Sequence, residues 1–327
     1  MLWLRRSLLV AALAFGFMSS TAPPAAAAKS YSLPSADIAY EVVQDGSAIV
    51  TESLTYKFDG SFRGGFRLIP ISASRGESIS DISVSENGRP YEPGGSSTVG
   101  IDSAPGTFGV AQDGDWTRVV WHFAASDEER TFTIRYRVSG FVTAYDDVGD
   151  LYVQVWGNQW RVPLSSLKAT VQLPGFLPSG AKSVRVWGHP GSVAGQVSVR
   201  DRTASLTATD VPAGQFVELR VVFPRSLLNS SGGAVVRSGS GLPQILAEEE
   251  QAFSSSRFGN APEQGSQASG GKGWGILKFL LLLLLAPFLL VGRLLGFGGR
   301  GGSDSGSGGS LGGSGGGGRG GGGGGAW

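Results

Sequence analysis

The sequence predicts an all-β fold, an antiparallel β-sandwich ectodomain over residues 35–225, held to a membrane by a single transmembrane helix and followed by a glycine-rich tail. Three observations carry this reading. Apolar and polar residues alternate with a period of two in many short runs between residues 35 and 225, as they do in strands with one buried face. Gly, Pro, Asn and Asp fall in nearly every gap between the runs, where turns require them. No 3.6-residue pattern separates the runs, which disfavours β-α-β units and favours sheets packed face to face, as one large or two small sandwiches.

Taken in order, residues 1–28 open with Arg5 and Arg6, continue through the apolar run Ser7 to Met18 and end in small residues up to Ala28. That is the form of a secretory signal peptide cut after Ala28, and it places the mature N-terminus outside the cytoplasm. From Asp37 the period-two pattern begins. Ile38, Tyr40 and Val42 alternate with polar neighbours, Asp45-Gly46 marks a turn, and Val50, Leu54, Tyr56 and Phe58 return, which describes a β-hairpin. Further strand-like runs cover 79–84, 117–123, 131–138, 151–156, 167–173, 183–187, 196–200, 204–208 and 215–223. Residues 60–70 read as a Gly-rich connection, and 140–150 as a candidate division of the domain into two. Residues 226–273, rich in Ser, Gly, Gln and Glu, read as a flexible stalk in which Leu242 to Ala252 can form a short helix with Glu248 to Glu250 on a solvated face.

The stretch Trp274 to Phe297 marks the membrane. Its uninterrupted apolar core, Phe279 to Val291, is shorter than the roughly 20 helical residues a bilayer core needs. Lys278 and Arg293 flank it and can lay their aliphatic stems along the helix with their charges at the interfaces, which lets the full segment span. With the signal peptide, this predicts a single-pass protein of the cytoplasmic membrane, domain outside and tail in the cytoplasm. Of the last 32 residues 20 are Gly, too little side chain to offset backbone entropy, so residues 298–327 read as disordered. The closing Ala326-Trp327 reads as a docking tag, as an aromatic that folds back to the membrane interface where Trp is favoured, or as drift in a low-complexity tail.

Composition narrows the function. There is no cysteine, which excludes disulfides, thiolate metal sites and cysteine nucleophiles. A net charge of +1 with mixed signs shows no basic stripe, so nucleic acid is not an expected partner.

Two stretches carry a family resemblance. GSFRGGFRLIPI (60–71) and RTFTIRYRVSGFVTAYDDVGDLYVQVWGNQWRVPLSSLKATVQLP (130–174), with the layout of signal, β-domain, membrane helix and Gly-rich end, resemble the DUF2207 family of predicted bacterial membrane proteins. The resemblance covers most of residues 35–225. It is most specific where Arg130, Phe132, Tyr136, Asp147, Trp156, Trp160 and Leu173-Pro174 follow one another in the family's order. It implies a fold and a membrane location, and no reaction. Longer members carry further membrane helices and a second soluble region, which this chain does not match.

The candidate site residues are Trp156, Trp160, Arg63, Arg67, Asp146 and Asp147. Trp156 and Trp160 bracket Gly157-Asn158 and can line a shallow groove for peptide or glycan, or pack in the core. Arg63 and Arg67, in the Gly-rich connection, can hold a carboxylate or phosphate bidentately, or pin that connection to the acids of 145–150. Asp146 and Asp147, with Asp150, can cap a strand end or ligate calcium, although their spacing matches no defined calcium loop. His122 and His189 are the only histidines, and neither a Gly-x-Ser-x-Gly nor a His-Glu-x-x-His spacing occurs. The sequence therefore assigns no catalytic residue, metal or cofactor. The expected function is a binding or structural module of the cell envelope with the lipid bilayer and an envelope protein or glycan as partners, and not an enzyme. The alternatives are an envelope enzyme whose site is assembled in space, and an accessory or sensor subunit that works through its span and Trp327.

Overall fold

The computed structural model describes residues 28–177, 184–252, 258–260 and 318–327. The signal-like leader, the apolar stretch 274–297 and the tail up to residue 317 lie outside the described residues. In chain order the strands are β1 (Ser30–Val42), β2 (Ala48–Asp59), β3 (Ser61–Pro70), β4 (Ser78–Glu86), β5 (Arg89–Pro90), β6 (Glu92–Pro93), β7 (Thr107–Asp113), β8 (Trp116–Ser126), β9 (Glu129–Ser139), β10 (Val142–Ala144), β11 (Val148–Trp156), β12 (Leu164–Gln172), β13 (Arg185–His189), β14 (Ala194–Arg200), β15 (Thr203–Val211), β16 (Val217–Pro224), β17 (Val235–Val236), β18 (Phe258–Asn260), β19 (Arg319–Gly320) and β20 (Gly323–Ala326), with one α-helix, α1 (Leu242–Gln251), between β17 and β18.

They form three sheets. The largest runs β14-β15-β12-β1-β2-β9-β4-β5, a second β17-β10-β11-β16-β13-β18, and a third β20-β3-β8-β7-β6, with β19 joined to β11. The predicted hairpin is β1–β2, turning at Gly46 with φ +85, a left-handed angle that glycine adopts without Cβ strain. The sheets are mixed rather than purely antiparallel: β1 runs parallel to β12, with Leu33 opposite Leu164. Strands from both sides of residues 140–150 thus share the largest sheet.

Alternation decides what is buried. Along β9, Phe132, Ile134, Tyr136 and Val138 point inward and are 2% exposed or less, while Arg135 between them faces solvent. The Phe132 ring lies 4.6 Å from Phe123 and 5.6 Å from Trp121, both on β8, so the eight-stranded sheet packs on the sheet containing β3 and β8. Trp121 is fully buried, as core packing requires of it. All eight residues of β16 are buried. One face meets the main core, and the other is covered by α1, whose Ile245 packs with Val148, Trp187 and Val222.

Three expectations are corrected. Residues 61–70 are not a loop but the ten-residue strand β3, and the two central glycines that disguise it are needed for close packing, since a Cβ at Gly65 would lie 2.5 Å from the Trp121 ring. The first part of the expected stalk belongs to the domain: Leu227 and Leu228 are buried in the main core, and Glu249 of α1 is buried rather than solvated. Residues 318–327, expected to be disordered, form β19 and β20. Among the described residues no helix is long and apolar enough to cross a membrane.

Phe132 touches Tyr56, Tyr91, Trp121 and Phe123. Phe132→Ala should lower stability by about 3–5 kcal/mol, read as a fall in the urea midpoint without a change in slope.

Candidate binding site

The site is built on β3. One edge of β3 pairs with β8, and the other accepts β20 antiparallel, with Gly323 opposite Leu68 and Ala326 opposite Gly65. The ladder continues past β20, as the Trp327 N–H donates to the Gly64 carbonyl at 3.0 Å and the Arg63 N–H donates to the Trp327 carbonyl at 2.8 Å. Just upstream, β19 runs parallel to β11, Arg319 opposite Val153. The tail therefore bridges two sheets.

Only glycine fits this path. Gly320, Gly321 and Gly322 have φ of +80, +88 and +74, which L side chains rarely adopt. A Cβ at Gly324 would stand 2.4 Å from the Phe66 carbonyl oxygen and 2.7 Å from the Trp160 ring. The receiving wall is shaped in the same way, because a Cβ at Gly157 would meet the Gly322 carbonyl at 1.9 Å and one at Gly64 the Trp327 ring at 2.1 Å. The Trp327 ring thus lies where a side chain on β3 would be, edge-on to His122 at 5.9 Å between ring centroids. His122 is fully buried, with Nε2 2.9 Å from the Ser96 carbonyl oxygen.

Beneath the tail lie Trp156 and Trp160, both buried and stacked at 4.3 Å with their planes 6° apart. Their expected exposed groove is corrected by this placement: they are the floor of an occupied site. Arg67 lies beside them, its guanidinium 5.8 Å from the Trp160 ring. It donates to both Glu52 oxygens at 2.6 and 3.1 Å, to the Leu68 carbonyl at 2.5 Å and to the Gly323 carbonyl at 3.3 Å. Tyr136 completes the group, its hydroxyl donating to Glu52 at 2.6 Å. Burial alone would ease the proton off Arg67, but Glu52 together with Tyr136 and Tyr40 offsets it and holds the guanidinium above its ordinary pKa. Burial, reinforced by Glu52, pushes the Tyr136 phenol well up.

The upstream end of the tail is held by charge. The Gly318 N–H donates to Glu218 at 3.1 Å. Arg319 Nη1 donates to the Gly140 and Phe141 carbonyls at 2.5 and 3.0 Å, while its Nε lies 3.4 Å from the fully buried Glu77 side chain. Alongside β20 a cleft of about 800 Å3 stays open, lined by Tyr31, Phe66, Trp160, Arg161 and the tail strand itself.

Of the six residues the sequence singled out, Trp156, Trp160 and Arg67 meet at this site. Arg63 contributes its backbone N–H, while its side chain pairs with Asp102 at 2.7 Å on the surface. Asp146 and Asp147 lie elsewhere and close the chain before α1. Asp146 accepts from the Gly239 N–H at 2.7 Å, and Asp147 accepts from the Ser240 hydroxyl, the Gly241 N–H at 2.7 Å and the Leu242 N–H at 3.3 Å. The expected pairing of Arg63 or Arg67 with these acids is corrected, since each arginine has another carboxylate. Asp150 is held bidentately by Arg220, which also reaches Glu248 and Glu249 on α1. Among the described residues no group of three or more His, Asp or Glu is placed to hold a metal ion. The residues whose part here sequence reasoning missed are Gly64, Gly157, His122 and the glycines of the tail, of which only the terminal Trp327 was read as a docking tag. Their one legible signal was a Gly-Gly pair inside an otherwise alternating run, matched by a second glycine run that ends in an aromatic residue.

Residues 32–223 match the family model described as the N-terminal domain of a predicted membrane protein (DUF2207). A search of the curated proteins finds no match. Among solved structures, an M1 zinc metallopeptidase from Deinococcus radiodurans is similar at 12% identity and a TM-score of 0.31, over 58% of this chain and 42% of that one. An aminopeptidase N family protein from Idiomarina loihiensis is similar at 11% identity and a TM-score of 0.29, over 57% of this chain and 29% of that one. The chain thus spans less than half the length of either structure.

Removing one partner of a buried ion pair strands the other charge. Arg67→Met should therefore cost about 3–5 kcal/mol in equilibrium unfolding, and Glu52→Gln combined with Arg67→Met should recover much of that loss. A loss in the double variant equal to the sum of the losses in Glu52→Gln and Arg67→Met alone would show that the pair is not coupled.

Proposed function

We propose that this chain, which belongs to the DUF2207 family of predicted membrane proteins, is a membrane-attached binding module whose β-domain captures an extended peptide segment by adding it as a strand to β3. One observation carries the reading. The edge of β3 already holds such a strand, contributed by residues as far as 261 positions away in the chain, Ala326 opposite Gly65. Strand addition draws affinity from the backbone ladder and selectivity from the pockets under alternate side chains. Here the ladder runs from Leu68 to Arg63, and the pocket at its end takes an indole.

The ladder favours peptide over glycan as the ligand, because a sugar has no N–H and C=O pattern to match a strand edge. The cleft beside β20 is lined by aromatic, amide, arginine and glycine residues, with no carboxylate, imidazole or serine. An aromatic and aliphatic wall with amide and guanidinium donors suits binding. Membrane attachment is assigned to the apolar stretch 274–297.

The test uses the full chain carrying Gly324→Val, which sets a side chain against the Phe66 carbonyl and the Trp160 ring and should unseat the tail. Arg319 then serves as an internal reporter, because its side chain is only 16% exposed when docked. Trypsin should cut after Arg319 at least about 10-fold faster in the variant than in the parent, in proportion to the open population. A synthetic peptide GRGGGGGGAW, which repeats residues 318–327, should bind the variant and be excluded from the parent. A variant with an emptied β3 edge and an unchanged circular dichroism spectrum that fails to take up the peptide would sink the proposal.

A further inference from the structure

We infer that residues 318–327 dock from the domain's own side of the membrane, so that the β-domain and the end of the tail share one face of the bilayer. The inference rests on the tail being the occupant of the β3 cleft. It revises the arrangement read from the sequence, in which a single span leaves the domain outside and the tail in the cytoplasm.

The docked tail is a fitted part of the domain. It makes backbone ladders to two sheets, through β19 with β11 and through β20 with β3. Arg319 is seated on two carbonyls and beside Glu77, and Trp327 fills the space over Gly64. None of these contacts can form across a hydrocarbon layer about 30 Å thick. The conclusion is the same whether the tail enters its own domain or that of a second copy, since copies inserted alike have their tails on the same face.

The sequence between the docked parts agrees. Crossing a bilayer and returning needs two helical passes of about 20 residues each. The apolar stretch 274–297 has 24 residues, enough for one pass and not for two. Its uninterrupted apolar core, Phe279 to Val291, has 13, a length more typical of segments that lie in the interface or dip into one leaflet than of a span. Lys278 and Arg293 close that core at its two ends, and both charges can reach the same interface. A stretch that enters the membrane from one face and stays there anchors the domain and leaves the tail free to return to it.

The chain contains no cysteine, so single introduced thiols report their own surroundings. Ser166→Cys marks the domain at an exposed position on β12, and Ser314→Cys marks the chain four residues before the docked segment. Intact cells producing each full-length variant are treated with a membrane-impermeant maleimide before and after permeabilisation. Both thiols should label to the same extent in intact cells. If both label only after permeabilisation, the shared face stands and it is the cytoplasmic one. If Ser166→Cys labels in intact cells while Ser314→Cys requires permeabilisation, the inference is overturned, and the docked tail is not the state of the membrane-inserted protein. The peptide uptake test is read separately. Failed uptake with both thiols on one face removes the binding role and leaves the topology, whereas uptake with thiols on opposite faces removes the topology and leaves a strand-binding site.

Discussion

The buried pair of Glu52 and Arg67 is the interaction on which the assembly of this domain turns. Glu52 comes from β2 and Arg67 from β3, so the pair joins the largest sheet to the sheet that receives the tail strand. Two charges out of water are costly unless every donor and acceptor is used. Here Tyr136 supplies a hydroxyl to Glu52, and the Leu68 and Gly323 carbonyls accept from Arg67 Nη1. One of those acceptors belongs to the tail strand. The ion pair that holds the sheets together is thus completed by the segment that occupies the site, and the core and the cleft share an energetic link.

The tail itself inverts the usual meaning of a glycine run. Glycine-rich sequence has a high conformational entropy to lose on ordering, and on composition alone it belongs with linkers. In this chain ordering is favoured because the absent side chains let backbone approach backbone. The path between β3 and Gly157 is too narrow for any Cβ, and the left-handed angles at residues 320–322 turn the chain from one sheet to the other. The ends of the docked segment supply what glycine cannot. Arg319 meets carbonyls and Glu77, and Trp327 brings a large apolar ring. The segment is anchored at both ends and slender between them, which sets its register.

A second polar group sits on the far side of the seven-stranded region. Arg220 of β16 grips Asp150 of β11 and reaches Glu248 and Glu249 of α1, while His189 at the end of β13 lies 3.2 Å from Glu249. Burial raises the Asp150 pKa even against Arg220. These contacts explain why a helix with a run of acids is packed onto the domain instead of continuing as a solvated stalk. Asp146 and Asp147 act in the same region by capping the chain that leads into α1.

What the sequence determined by itself is what depends on local pattern. The period-two runs placed β1, β2, β4, β8, β9, β11, β12 and β14–β16, and Asp45-Gly46 placed the first hairpin, because a strand with one buried face writes its alternation directly into the chain. The same local logic singled out Trp156, Trp160 and Arg67, which the fold brings together under the tail. Tertiary structure alone decided what they do. Strand β3 was hidden because Gly64 and Gly65 break the alternation, and the reason for them is two tryptophan rings, Trp121 and Trp327, that no local window contains. The carboxylate for Arg67 lay on β2 and not in the acidic loop, and the tail became ordered only where a complementary glycine-lined path received it. Close approach between distant segments is a property of pairs of surfaces, and a single run of glycines does not disclose whether its partner exists.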